Sequence, residues 1–241
     1  MHRFVPTTVW ALIPVTFLVC SVPQPQAQPV DTHSVTRWEE TIRRFERRDA
    51  RRAPRRGGVV FVGSSSVRLW KTLAEDMAPM PVVNRGFGGA RTDDVLYYAD
   101  RIVLPYTPRA IVYYAGDNDL GRDEAPTPES VTDNFRQFVS RIEQSGQRPE
   151  IYFVSIKPSP RRMKSWDRMA AANDRVRLFA STHPSVTYLD VAREMLDDAG
   201  RVRNGLFSRD GVHMNARGYA LWTSIIRPAL ETQVGPNPLY L

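Results

Sequence analysis

Five short apolar runs constrain this chain more than any other feature. They are Val59 to Val62, Pro81 to Val83, Ala110 to Tyr114, Ile151 to Val154 and Val186 to Leu189. Runs of this kind fit strands buried on both faces of a parallel sheet. Helical patterns lie between them. Asp93 to Val103 carries Val95, Leu96, Tyr98, Ala99 and Ile102 at helical spacing. Pro128 to Ile142 follows a Thr127 cap and aligns Val131, Phe135, Phe138, Val139 and Ile142 on one face. Met163 to Ala180 and Ala216 to Leu230 are two further helical stretches. Alternating strands and helices predict a single three-layer α/β/α domain over residues 58–241, built on a five-stranded parallel sheet. With 42% hydrophobic residues the chain has enough apolar surface for such a core.

The sequence ahead of this domain has a different grain. Met1-His2-Arg3 is basic, Phe4 to Val19 is apolar, and Ser21 to Pro29 is polar and rich in Pro and Gln. That order reads as a secretory signal peptide over residues 1–27, which implies a secreted or periplasmic protein. The apolar run holds two prolines and falls short of the roughly 20 residues that a membrane span needs. A retained anchor and lipid attachment at Cys20 are the alternatives, although Val19 is bulky where a lipobox places Gly or Ala. Removal of the leader takes away the chain's one cysteine. Cysteine catalysis and cysteine-rich metal sites are thereby excluded, and the domain must rely on its core instead of disulfides.

Residues 28–57 form an N-terminal extension in which Arg43, Arg44, Arg47, Arg48, Arg51, Arg52, Arg55 and Arg56 crowd together. Their spacing places them on the outside of a helix whose other face carries Trp38, Ile42 and Phe45. Such a stripe is either a solvated face or a weak electrostatic contact with an anionic envelope surface. Nucleic acid is not expected as a partner, because no nucleic-acid module accompanies the basic stretch.

In parallel sheets, ligands sit beyond the carboxyl ends of the strands. Four polar clusters fall in such places. Gly63-Ser64-Ser65-Ser66 follows the first run, Asn84-Arg85-Gly86-Phe87-Gly88-Gly89-Ala90 the second, and Gly116-Asp117-Asn118-Asp119 the third; Asp210-Gly211-Val212-His213 precedes the last helix. A serine at a strand-to-helix turn has its hydroxyl at the sheet top, among helix-start amides free to bind an anion. Glycines let main-chain N–H groups approach a ligand closely, and an Asn amide can donate to a developing oxyanion. A histidine acting as general base needs a carboxylate on its other nitrogen, which Asp210 can reach. Singly, each cluster is equally a helix cap, a tight turn or a polar turn. The Ser cluster is not the Gly-x-Ser-x-Gly elbow, since Val67 replaces the second glycine. The Gly-rich turn matches neither phosphate-binding fingerprint. Among the other histidines, His2 lies in the leader, and His33 and His183 lack a comparable setting.

Taken in order, the four clusters resemble the blocks of the SGNH (GDSL-like) hydrolase family, from about Trp38 to Leu230. The resemblance implies the flavodoxin-like SGNH hydrolase fold. It also implies that Ser65 is the nucleophile, His213 the general base and Asp210 its orienting carboxylate. The Ser65 and Gly89 main-chain N–H groups and the Asn118 side chain would form the oxyanion hole. The implied activity is hydrolysis of carboxylic esters through an acyl-enzyme with no metal or cofactor, on short acyl esters of carbohydrates or on lysophospholipids. A non-catalytic carbohydrate-binding protein on the same fold is the rival expectation. One departure stands out: Ser64 occupies the place of the Asp in the Gly-Asp-Ser motif, so the local support of that turn must differ.

Overall fold

The five apolar runs form one all-parallel sheet with strand order β2-β1-β3-β4-β5. The strands are β1 (Val59–Gly63), β2 (Val82–Gly86), β3 (Ala110–Tyr114), β4 (Glu150–Val154) and β5 (Val186–Leu189). The structure, a computed structural model, describes Met1 and residues 36–121 and 126–234. The expected leader 1–27, with Cys20, and His33 lie outside the described residues. Residues Asp31–Leu241 make up one compact unit. Among the described residues no helix is long and apolar enough to cross a membrane.

Strand residues alternate between two separate cores, because successive side chains leave a sheet on opposite faces. Val60, Val62, Ile111, Tyr113, Ile151 and Phe153 point into one core. Val59, Phe61, Val112, Tyr114, Tyr152 and Val154 point into the other. The first core is covered by α1 (Glu39–Arg51), α4 (Thr92–Tyr97), α5 (Ala99–Ile102), α7 (Pro128–Gln144) and α8 (Trp166–Thr182). The second is covered by α2 (Ser65–Arg68), α3 (Leu73–Asp76), α9 (Val191–Glu194) and α10 (Ala216–Val234). A further single turn, α6 (Asp117–Leu120), follows β3.

Three of the differences between these boundaries and the sequence reading bear on the site and its supports. β2 runs on to Gly86, so Asn84 and Arg85 are strand residues paired with Phe61 and Val62, outside the turn. The helical pattern from Asp93 to Val103 breaks at Tyr98 into α4 and α5. The arginine-rich helix ends at Arg51, which leaves Arg52, Arg55 and Arg56 beyond it. The Thr127 cap is present, its Oγ accepting from the Ser130 N–H at 3.2 Å.

Apolar contact through Ile42 anchors α1, but a buried ion pair holds its far end. Arg85 is 2% exposed and donates from Nη2 to both Asp49 oxygens, at 2.7 and 2.6 Å. Its Nε donates to the Tyr106 hydroxyl at 2.7 Å, and its guanidinium lies over the Phe45 and Tyr106 rings. Removing one partner of such a pair leaves a charge buried and uncompensated. Asp49→Ala is therefore expected to destabilise the fold by about 3 kcal/mol in urea melts. The double variant Asp49→Ala/Arg85→Met should lose less than Asp49→Ala alone.

Candidate active site

The backbone at the end of β1 separates the roles of the three adjacent serines. Gly63 has φ +138°, and a Cβ there would fall 1.8 Å from the Tyr114 carbonyl oxygen, so only glycine fits. The chain then turns into α2. Ser64 caps it with its main chain, its carbonyl accepting from the Val67 and Arg68 N–H groups at 3.1 Å. The Ser64 hydroxyl instead donates to Asp117 Oδ1 at 3.4 Å. The carboxylate beneath this turn thus comes from Asp117, where the family motif would place one at position 64. Ser65 opens α2, so its N–H has no carbonyl one turn back to pair with. Its hydroxyl lies 3.0 Å from His213 Nε2.

His213 is held by its own loop. Its Nδ1 is 2.6 Å from Asp210 Oδ2, while Asp210 Oδ1 accepts from the Val212 and His213 N–H groups, both at 2.9 Å. Gly211, at φ +64°, makes the tight turn between them. The hydrogen bond with His213, reinforced by the Val212 N–H, holds the Asp210 carboxyl far below the usual carboxylate range. An ionised carboxylate can only accept, so Nδ1 carries the ring proton and Nε2 is left to accept from Ser65. The Ser208 N–H donates to the His213 carbonyl at 2.8 Å, and the Tyr219 hydroxyl of α10 donates to the Ser66 carbonyl at 3.0 Å. The first bond closes the histidine loop on itself, and the second ties the last helix to the serine turn.

The turn after β2 and the start of α6 complete the site. The Phe87 N–H donates to the Gly63 carbonyl at 2.9 Å, extending the β1–β2 pairing into the glycine turn. Gly89 has φ +77°, and its carbonyl accepts from Arg37 Nη2 at 3.1 Å. The Trp38 ring packs against Phe87, with centroids 5.7 Å apart. Asn118, 9% exposed, donates from Nδ2 to the Ala90 carbonyl at 2.9 Å. That bond uses one of its two amide hydrogens and leaves the other for a ligand. Ser65, Asp210 and His213 are therefore joined in one hydrogen-bonded chain, and Asn118 is joined to the Gly89-Ala90 turn.

A family model for GDSL-like lipases and acylhydrolases matches residues 57–221. The chain belongs to the GDSL-like lipase/acylhydrolase family. Ser65, Gly89, Asn118, Asp210 and His213 fall within the matched stretch, whereas Arg37 and Trp38, which touch the Gly89 turn, lie outside it. Solved structures share the family's fold. A protein from Streptococcus pneumonia, provisionally named a platelet activating factor, is 20% identical, with a TM-score of 0.72; the match covers 82% of this chain and 95% of that one. A GDSL-like lipase from Bacteroides thetaiotaomicron VPI-5482 is 20% identical, with a TM-score of 0.68, over 79% of this chain and 97% of that one. A carbohydrate esterase family 3 protein from Talaromyces cellulolyticus is 17% identical, with a TM-score of 0.59, over 73% and 97%. No curated protein matches the chain.

Sequence reading missed two side chains beneath the site, Lys157 and Arg162, and the part played by Asp117. Lys157, fully buried, and Arg162 both approach Asp117 Oδ2 at 3.2 Å, and Arg162 Nη2 donates to Asn118 Oδ1 at 3.0 Å. Burial works against the Asp117 charge, but Lys157 and then Arg162 outweigh it and lower its pKa. The signal that could have found Lys157 is the strand-end rule itself, since Ser155-Ile156-Lys157 follows β4. His183 lies apart, its Nδ1 3.3 Å from the Ser185 hydroxyl and its ring beside Phe179. Among the described residues no group of three or more His, Cys, Asp or Glu side chains is placed to hold a metal ion. A groove of about 240 Å³ between α8 and β5, lined by residues including Trp166, Arg177 and Tyr188, includes none of the site residues.

Asp119, next to Asn118, is buried and accepts from the Thr92 N–H and hydroxyl at 3.0 and 2.6 Å. Burial nevertheless pushes its carboxyl up to about 7. Because the folded pKa lies above the unfolded one, ionisation costs stability as pH rises from near 4 towards 7. Thermal melts over that range should show the wild type losing stability relative to Asp119→Asn, which keeps the acceptor oxygen for Thr92. Parallel curves for the two proteins would remove this cost.

Proposed function

We propose that the chain is a secreted serine esterase that hydrolyses carboxylic esters through an acyl-enzyme on Ser65. The observation that carries the reading is the continuous bonded line Asp210–His213–Ser65, with spacings of 2.6 and 3.0 Å. In this reading His213 Nε2 takes the Ser65 proton as Oγ attacks the ester carbonyl carbon. The carbonyl oxygen becomes an oxyanion received by the Ser65 and Gly89 main-chain N–H groups and Asn118 Nδ2. Collapse breaks the bond to the alcohol oxygen, which leaves with the proton that His213 returns. Water, deprotonated by His213, then attacks the acyl carbon and restores Ser65. Asp210 stays ionised throughout and stabilises the imidazolium.

Short acyl esters on bulky polar alcohols, such as carbohydrates, are the substrates we favour, with lysophospholipids as the second class. Ser65 is only 7% exposed, whereas the His213 and Asp210 side chains are 32% and 46% exposed. A small acyl group can sit at the enclosed serine while a large alcohol remains in water. Fold-level likeness to a carbohydrate esterase agrees with this choice. We further propose residues 1–27 as a removable secretory leader and residues 28–57 as an extension of the hydrolase domain 58–241. Just ahead of the Arg43–Arg56 stretch, Glu39 is shared by Arg43 and Arg101 and Glu40 is paired with Arg47; within it, Glu46 is taken by Arg101 and Asp49 by Arg85. This leaves an excess of positive charge suited to weak contact with an anionic envelope surface.

The purified protein should release p-nitrophenol from p-nitrophenyl acetate, with Ser65→Ala and His213→Ala near background. An active Ser65→Ala would sink the assignment, and sugar binding without any ester turnover would favour the non-catalytic reading. Asn118→Ala should lower kcat by about 10²-fold or more with little change in KM.

A further inference from the structure

The Asn118 amide is useful to an oxyanion only if its N–H face points towards the reacting centre, and a side-chain amide can flip. The way Arg162 holds it removes that freedom. Arg162 Nη2 donates to Asn118 Oδ1 at 3.0 Å, and a guanidinium can only donate, so the atom facing it must be the oxygen. The amide nitrogen is thereby turned towards the Ala90 carbonyl, 2.9 Å away, on the side of the Gly89 turn. A flipped amide would set NH₂ against guanidinium on one side and oxygen against carbonyl on the other.

Arg162 is itself fixed at several points. Its Nη1 donates to the Asp117 carbonyl at 2.7 Å and lies 3.2 Å from Asp117 Oδ2. Its stem runs so close to Gly121 that a Cβ there would fall 2.8 Å from Arg162 Cδ. Asp117 is in turn held by the buried Lys157 ammonium at 3.2 Å and by the Ser64 hydroxyl at 3.4 Å. A charged donor on the amide oxygen also draws electron density from the nitrogen, which strengthens Nδ2–H as a donor in a low-dielectric site.

We propose that Arg162 is a positioning residue for the oxyanion hole, orienting and polarising the Asn118 amide from a socket built by Asp117, Lys157 and Gly121. The proposal rests on the esterase reading of Ser65, Asp210 and His213. The Arg162 guanidinium is engaged with Asp117 and Asn118, and in this proposal it acts through Asn118.

The test compares the full chain with Arg162→Gln, Asn118→Ala and the double variant. Two measurements are made: p-nitrophenyl acetate kinetics, and the ¹⁵N-labelled side-chain amide signals, with Asn118 assigned by their loss in Asn118→Ala. Arg162→Gln should lower kcat about tenfold or more with KM within about twofold, since weakening an oxyanion donor costs less than removing it. In the Asn118→Ala background the same change should cost less than about threefold, because its target is gone. The Asn118 amide signals should shift and exchange faster with water in Arg162→Gln. An equal loss of kcat in both backgrounds, or unmoved Asn118 signals, would overturn the proposal. If Arg162→Gln fails to fold, as judged by thermal melting, Arg162→Lys is judged by the same criteria, since one ammonium cannot span both the Asp117 carbonyl and Asn118. A wild type without ester turnover would defeat the esterase reading, and the amide signals alone would then decide the positioning of Asn118.

Discussion

The site depends on how closely β1 is clamped between β2 and β3. Gly63 pairs with Gly86 on one side and with Tyr114 on the other, and there is no room for a side chain at Gly63. That register brings the serine turn, the glycine turn and the start of α6 out of the sheet at one level. The strand order also reverses direction here, with β2 to one side of β1 and β3 to the other. Chains leaving β1 and β3 diverge at such a point and leave a crevice between them. Ser65 and Asn118 stand on its two walls, and the loop before α10 brings His213 across it.

Charge buried close to this crevice has two distinct uses. Asp49 and Arg85 fasten the arginine-rich helix to β2, and the cost of unpairing them gives that attachment its strength. Asp117, Lys157 and Arg162 lie under the crevice, where the two basic side chains hold the Asp117 carboxylate and Arg162 also reaches the Asn118 oxygen. The same cluster accounts for Ser64. Its hydroxyl donates to Asp117, so the carboxylate supporting the serine turn arrives from the start of α6. A serine is the right partner for it, because an aspartate at 64 would face Asp117 with like charge.

Much of this arrangement could be read from sequence because its signals are local. Apolar runs marked all five strands, most cleanly β1, β3 and β4, whose near-complete burial leaves no polar phase to obscure them; β2 and β5, at the sheet edges, are only partly buried. Asp210 and His213 are three residues apart, so one turn suffices to pair them. The misplacements are equally physical. Asn84 and Arg85 look like turn residues, yet both belong to β2: the Asn84 amide bonds to the Val67 carbonyl, and Arg85 has its own anion in Asp49. Polar residues with buried partners are invisible to hydrophobic periodicity. The pattern from Asp93 to Val103 kept its helical phase through Tyr98, although the backbone hydrogen-bond ladder did not.

The sequence by itself determined the parallel α/β architecture, the order of the four polar clusters along the chain and their places at strand ends. These follow from patterns spanning a few residues, where strand and helix geometry leave few choices. The family resemblance had already singled out Ser65 among the three adjacent serines; only the tertiary structure showed its hydroxyl beside a histidine 148 positions away, with its neighbour Ser64 serving a buried aspartate instead. It alone placed Arg162 against Asn118, 44 positions apart. Such contacts depend on the register of the strands and the packing of helices upon them, so no local stretch of sequence contains them.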